Sequence, residues 1–178
     1  DDYSHFIWTF LLRAKSDVHS LFVNFQRYVS THFSLPIRFL QCDNGREFDN
    51  TRNREFFLHH GILLQFSCPY TTPQNGKAER SLRTINDILR TLLIDASMPP
   101  QYWVEALRHA TYLLNVRPTK TFPRFSPYES FFLAPPTYAD LRIFGCLCFP
   151  NLSATTDNKL SPRSLPCVLL GFSDSHKG

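Results

Sequence analysis

Apolar residues along the chain alternate between two periods. His5–Arg13 (HFIWTFLLR) is a run of aromatic and β-prone residues and predicts a strand. From Asp17 to about Thr31 the positions Val18, Leu21, Phe22, Phe25 and Val29 recur at helical spacing, and Ser16 offers an N-cap. Pro36 opens a second strand, Ile37–Cys42, which delivers Asp43 at its carboxyl end, followed by the turn-forming Asn44-Gly45. A short helix over Arg52–His60, stopped by Gly61, leads to a strand over Ile62–Cys68 that Pro69 ends. Tyr70–Arg90 then runs from a polar, Pro- and Gly-broken loop into an amphipathic helix. Pro99-Pro100 breaks that helix and starts the next, Gln101–Asn115, with Trp103, Ala106, Leu107, Ala110 and Leu114 expected on its buried face.

Strands alternating with helices describe an α/β layered domain with at least part of its sheet parallel. Ligands in such sheets collect at the carboxyl ends of strands, where Asp43 falls. Seven of the thirteen prolines lie between Pro99 and Pro136, which marks a change of character. A helix over Pro127–Leu133 is expected to close the first domain. Beyond it, Arg142–Phe149 and Pro166–Phe172 read as two strands of a small β unit.

Composition narrows the class. With 178 residues, 43% hydrophobic and 19% charged, the chain is one ordinary domain, or one domain with a small appendage, and is not disordered. Its 17 Phe point to a core of large flat side chains. The segment Asn75–Arg124 holds eight Lys and Arg against four acids, and so carries the whole formal net charge of +4. Arg outnumbers Lys 14 to 5, and the guanidinium fork suits phosphate oxygens. Charge by itself reads more readily as a solvated basic helix pair. The five cysteines, Cys42, Cys68, Cys146, Cys148 and Cys167, show no C-x-x-C spacing, so neither a disulfide framework nor a zinc knuckle is supported; Cys146 and Cys148 alternate in a strand-like run and read as buried free thiols. No apolar run approaches the roughly 18–20 residues that span a bilayer. The expectation is a soluble intracellular chain, in nucleus or cytoplasm, neither secreted nor membrane-bound.

The candidate chemistry is a pair of carboxylates 36 positions apart, Asp43 and Glu79. On a helix advancing 100° per residue, Leu82, Ile85, Leu89 and Leu92 form the core stripe. Arg83, Asn86 and Arg90 fall within about 40° of Glu79 at its edge. Glu79 is thus expected where the buried face meets solvent, with a ladder of donors below it. Taken singly, Asp43 in Asp-Asn-Gly reads as a turn residue and Glu79 as a first-turn carboxylate favoured by the helix dipole. Taken together, with the loop between them, they read as ligands of a metal site that acts on phosphodiesters.

Cys42-Asp43-Asn44-Gly45-Arg46-Glu47-Phe48 and Pro73-Gln74-Asn75-Gly76-Lys77-Ala78-Glu79-Arg80 resemble the second and third acidic motifs of retroelement integrases of the copia type. The likeness continues through Pro100-Gln101-Tyr102-Trp103 and Leu114-Asn115 to Phe144-Gly145-Cys146, and covers essentially the whole chain. It implies a ribonuclease-H-like α/β core with a mixed sheet over residues 1–135. An incomplete Src-homology-3-like β-barrel is implied over 136–178. It further implies metal-dependent phosphoryl transfer that joins element DNA ends to target DNA. Two Mg²⁺ (or Mn²⁺) ions held by three carboxylates would serve that chemistry, in a protein that is a homo-oligomer when complete.

The resemblance assigns Asp43 and Glu79 as catalytic metal ligands, Tyr70, Gln74 and Asn75 to the DNA end, and Lys77, Arg80 and Arg83 to phosphates. In the family pattern the first catalytic Asp precedes the Asp-Asp-Tyr-Ser segment. A chain opening at Asp1-Asp2-Tyr3-Ser4 is therefore expected to lack that carboxylate and its strand, and to turn over negligibly. Whether it is an enzyme stays open. The alternative is a non-catalytic nucleic-acid-binding relic or repurposed module.

Overall fold

Helix α1 (Val18–Phe33) forms where apolar residues recur every third or fourth position, and Ser34 ends it in the left-handed region at φ 53°. The computed structural model describes residues 1–43, 45–66, 72–118, 125–139, 141–152, 158, 160 and 162–171, apart from the side chains of 72–75. The chain divides into two units: Phe10–Ser81, and Asp1–Thr9 together with Leu82–Gly178.

In the first of these, α1 is followed by β1 (Phe39–Cys42), α2 (Thr51–His59), β2 (Leu63–Phe66) and the start of α3 (Thr72–Asp95). β1 and β2 are parallel and in register, Phe39 opposite Leu63 and Cys42 opposite Phe66. Their carboxyl ends therefore lie side by side, as a crossover through α2 requires. The core comprises Val18, Cys42, Phe57 and Ile62, with Phe22 edge-on to Phe57 at 5.1 Å between ring centroids. Ser16 does not cap α1: a single 3-10 turn over Lys15–Asp17 precedes the helix, closed by Asp17 N–H donating to Ala14 O (3.0 Å) and by Ala14 N–H donating to Asp17 Oδ2 (3.1 Å).

The other unit holds the rest of α3, a 3-10 turn over Pro100–Tyr102, α4 (Trp103–Val116), α5 (Pro127–Phe132), β3 (Leu147–Cys148) and β4 (Cys167–Val168). α5 starts on Ser126, whose Oγ accepts from Glu129 N–H (3.1 Å), with Pro127 in the first turn. α4 packs against α5, and Phe6, Ile85, Ala106, Ala110, Val116 and Phe144 are buried. β3 and β4 are antiparallel, and an isolated bridge joins Asn151 to Ser164; among the described residues these strands close no barrel.

Three expectations are corrected. His5–Arg13 forms no strand: His5 takes a positive φ of 59°, the N–H of Ile7 donates to Asn115 Oδ1 (2.9 Å) and its carbonyl accepts from Asn115 Nδ2 (2.8 Å). A side-chain amide takes the place a neighbouring strand would fill. Trp103 is 48% exposed rather than core, because the buried arc of α4 runs through Ala106, His109, Ala110, Thr111, Asn115 and Val116, three of which are polar. Cys146 and Cys148, expected to be buried, are only half-buried; among the described cysteines Cys42 is buried and Cys167 exposed, all four as free thiols, while Cys68 lies outside the described residues. No helix among the described residues is long and apolar enough to cross a membrane.

Candidate functional site

Asp43 follows directly on β1, at the edge where the carboxyl ends of the two parallel strands meet. It is exposed, and its Oδ1 accepts from the N–H of Gly45 at 3.2 Å, closing the turn that Asp-Asn-Gly predicts. The loop then winds through one turn, with Phe48 N–H (2.9 Å) and Asp49 N–H (3.0 Å) both donating to Gly45 O. Two asparagines lock it to α2. Asn50 Oδ1 accepts from Asn53 N–H at 2.9 Å and caps the helix. Asn53, with no exposed surface, donates from Nδ2 to the carbonyls of Glu47 (2.8 Å) and Phe48 (3.3 Å), while its Oδ1 lies 2.8 Å from His19 Nδ1 on α1. A fully buried amide with both ends satisfied is a rigid anchor.

Glu47 carries the chemistry of that loop further. Its Oε1 accepts from Lys15 Nζ at 2.8 Å. A β-carbon placed on Gly45 would stand 2.9 Å from Glu47 Oε2 and 3.1 Å from Asp43 Oδ1, so the two carboxylates crowd one glycine. The hydrogen bond from Lys15, then Glu47's own backbone, hold the Glu47 carboxyl below the usual carboxylate range. Lys15 is raised in turn, first by the bond to Glu47 and then by its charge, with Asp43 adding to the effect. Burial, and then the charges of Asp43 and Asp49, push the Cys42 thiol up to about 11.

Glu79 stands on α3, the helix that follows β2, and is exposed. Asp43 thus follows the first of the two parallel strands, and Glu79 lies on the helix next after the second in the chain, with residues 67–71 between β2 and α3 outside the described residues. The expected faces of α3 are present: Ile85 is buried, Leu89 and Leu92 are half-buried, and Arg83, Asn86 and Arg90 are exposed. Leu82 departs from the stripe at 60% exposure. Arg80 is exposed, its Nε donating to Gly76 O at 2.9 Å; Lys77 and Arg83 are exposed as well. Tyr70 and the side chains of Gln74 and Asn75 lie outside the described residues. Among the described residues no three His, Cys, Asp or Glu side chains gather into a metal cage. The donor chemistry of an exposed Asp and Glu still fits a hard divalent cation such as Mg²⁺, which prefers carboxylate oxygens.

Lys15, His19 and Asn53 went unread in the sequence. Glu47 stood inside the quoted motif without a role, because its partner is 32 positions away and no local spacing marks it.

Comparison with known proteins completes the description. Over 173 residues the chain is 38% identical to the "Retrovirus-related Pol polyprotein from transposon RE1" of Arabidopsis thaliana, a match that takes in 97% of the chain. It is 37% identical over the same length to that of transposon RE2, also from Arabidopsis thaliana. The chain is related to retrotransposon Pol polyproteins. A third relative, the "Retrovirus-related Pol polyprotein from transposon TNT 1-94" of Nicotiana tabacum, is 32% identical over 178 residues, all of the chain.

This Pol-related chain spans 12% of the RE1 and RE2 polyproteins and 13% of the TNT 1-94 polyprotein. Residues 146–178 match the family described as "Retroviral polymerase SH3-like domain". Among solved structures, the HTLV-2 integrase catalytic core domain in complex with magnesium (trimeric form) aligns with a TM-score of 0.47 at 19% identity. That alignment covers 64% of this chain and 69% of that one.

Proposed function

We propose that the chain is the integrase-core segment of a retrotransposon Pol polyprotein, with a ribonuclease-H-like fold, and that within the complete polyprotein this segment joins element DNA ends to target DNA by metal-dependent phosphoryl transfer, while the segment alone turns over negligibly. One observation carries the reading: an exposed carboxylate, Asp43, directly follows a strand whose parallel neighbour is succeeded in the chain by the helix bearing exposed Glu79. Similarity to retrovirus-related Pol polyproteins over 97–100% of the chain supports its placement in such a polyprotein.

In this reading Asp43 and Glu79 hold Mg²⁺ or Mn²⁺. When bound, the ions would supply charge neutralisation at the oxygens of the phosphodiester. Lys77, Arg80 and Arg83 hold the duplex by its phosphates, fixing its position without reading its sequence. Tyr70, Gln74 and Asn75 approach the DNA end.

A joining assay tests the proposal in the full-length polyprotein, with a labelled element-end duplex, a target plasmid and Mg²⁺. Asp43→Asn and Glu79→Gln should each abolish joining and leave duplex binding largely intact; full activity in either variant removes that residue from the site. The exposed cations of α3, Lys77, Arg80 and Arg83, equally fit a second reading, a nucleic-acid-binding module without catalysis. That reading predicts salt-dependent duplex binding and no joining in any context.

A further inference from the structure

We infer that Lys15 is a phosphate-contacting residue, held ready beside Asp43 by Glu47, for the DNA backbone that the proposed reaction acts on. The inference rests on that proposed function and adds a residue to it.

Three observations converge on Lys15. Its backbone is fixed, because the 3-10 turn over Lys15–Asp17 is closed at both ends by Asp17. Its side chain is 82% exposed, yet Nζ is tied at 2.8 Å to Glu47, whose own side chain is only 19% exposed. The Glu47 loop is in turn anchored by the buried amide of Asn53. The anionic end of the pair is therefore rigid and the cationic end faces solvent. An ammonium has three donors; one is taken by Glu47, and the exposure of Lys15 leaves the others reachable.

Fold stability does not account for this arrangement. An ion pair this exposed contributes little and is screened by salt. Its position does have a consequence, because Asp43 crowds Gly45 beside Glu47 and its charge reaches Lys15. Left alone, a lysine there would neutralise Asp43 and oppose a divalent cation. Glu47 takes up the ammonium and keeps the local charge negative. A phosphate arriving at Asp43 then finds a cation whose side chain is already ordered, so less entropy is lost in making the contact.

The test uses the 178-residue chain and a short fluorescein-labelled duplex, with affinity measured by anisotropy across a range of salt concentrations. Losing one phosphate contact should lower the slope of log affinity against log salt by about 0.9. Lys15→Gln should show that loss, while Glu47→Gln should keep the parent slope because the ammonium remains. Arg27→Gln, an equal loss of charge at an exposed position on α1, is the control and should also keep it. Melting midpoints of all three should match the parent, since each changed group is a side chain at or near the surface. A parent-like slope in Lys15→Gln, or an equal drop in Arg27→Gln, overturns the inference and leaves the proposed function standing. A parent chain whose duplex binding does not depend on salt overturns both.

Discussion

Asn115 closes both backbone groups of Ile7, a residue 108 positions away: its Oδ1 accepts from the Ile7 N–H at 2.9 Å and its Nδ2 donates to the Ile7 carbonyl at 2.8 Å. An amide can do this because it is donor and acceptor at once. Asn115→Asp keeps the acceptor and turns the donor into a second oxygen facing a carbonyl. Loss of stability on the order of 2–3 kcal/mol is expected from a part-buried carbonyl left facing charge. Asn115→Ala, which leaves both groups unpaired, should cost roughly as much. Urea titrations of the two variants should show lower midpoints, and an unchanged midpoint in Asn115→Asp would contradict the bond.

His109 predicts how stability responds to acid. The residue is 4% exposed, and burial lowers its pKa below the ordinary 6.5. The unfolded chain therefore binds a proton near pH 6.5 that the native state refuses. The stability contributed by neutral His109 is complete above that pH and is lost as pH falls through the native value. A single proton sets an upper limit of about 1.4 kcal/mol per pH unit on the slope in that window. Unfolding measured from pH 8 down to pH 5 (on the order of one proton taken up) should show the decline, and His109→Gln should flatten it.

Cys148 and Cys167 are direct cross-strand partners in the β3–β4 pair. Opposed antiparallel residues stand about 4.5–5.5 Å apart between Cα atoms, within the range of about 4.4–6.8 Å that a disulfide bridges. Oxidised glutathione should convert the two thiols to one disulfide, releasing two molecules of reduced glutathione, with exposed Cys167 attacking first. Non-reducing peptide mapping should find Cys148 linked to Cys167, and the short closed loop should stabilise its unit by about 3 kcal/mol. A persistent mixed disulfide on Cys167 would show that the strands do not hold the pair in register.

Divalent cations offer a test of the carboxylate pair that needs no DNA. Asp43→Asn and Glu79→Gln should each weaken Mn²⁺ binding at least tenfold, about 1.4 kcal/mol, by calorimetry. Asp49→Asn removes a carboxylate that is already bonded to Arg54 and should leave the affinity close to the parent value. Equal weakening by all three would mean a diffuse acidic surface rather than a site.

The elements that the sequence predicted well are those with strong local signals. α1 and α4 appear within a few residues of their expected bounds because their apolar periodicity is long, and α5 because Ser126 and Pro127 announce its start. β1 and β3, at four and two residues, are shorter than expected, because strand length depends on a neighbour's backbone and not on the run of β-prone residues itself; residues 67, 68 and 172, at the expected ends of the other two strands, lie outside the described residues. Of the candidate site, Asp43 at a strand end and Glu79 on an exposed helical turn were legible from turn chemistry and helical period. Lys15–Glu47 and His19–Asn53 join residues 32 and 34 positions apart and leave no mark on local pattern.

By itself the sequence determined the order of helices and strands from α1 onward, the turn after Asp43 and the exposed face of α3, since each follows from backbone preference and spacing within a few residues. Its kinship with Pol polyproteins lies in residue identity and required no coordinates. The tertiary structure decided that the edge-seeking His5–Arg13 segment is satisfied by Asn115 rather than by a strand, that Trp103 faces water, and that Lys15 is drawn to Glu47 beside Asp43. Those outcomes turn on which distant polar group reaches a backbone or a charge first, and only the folded chain sets that distance.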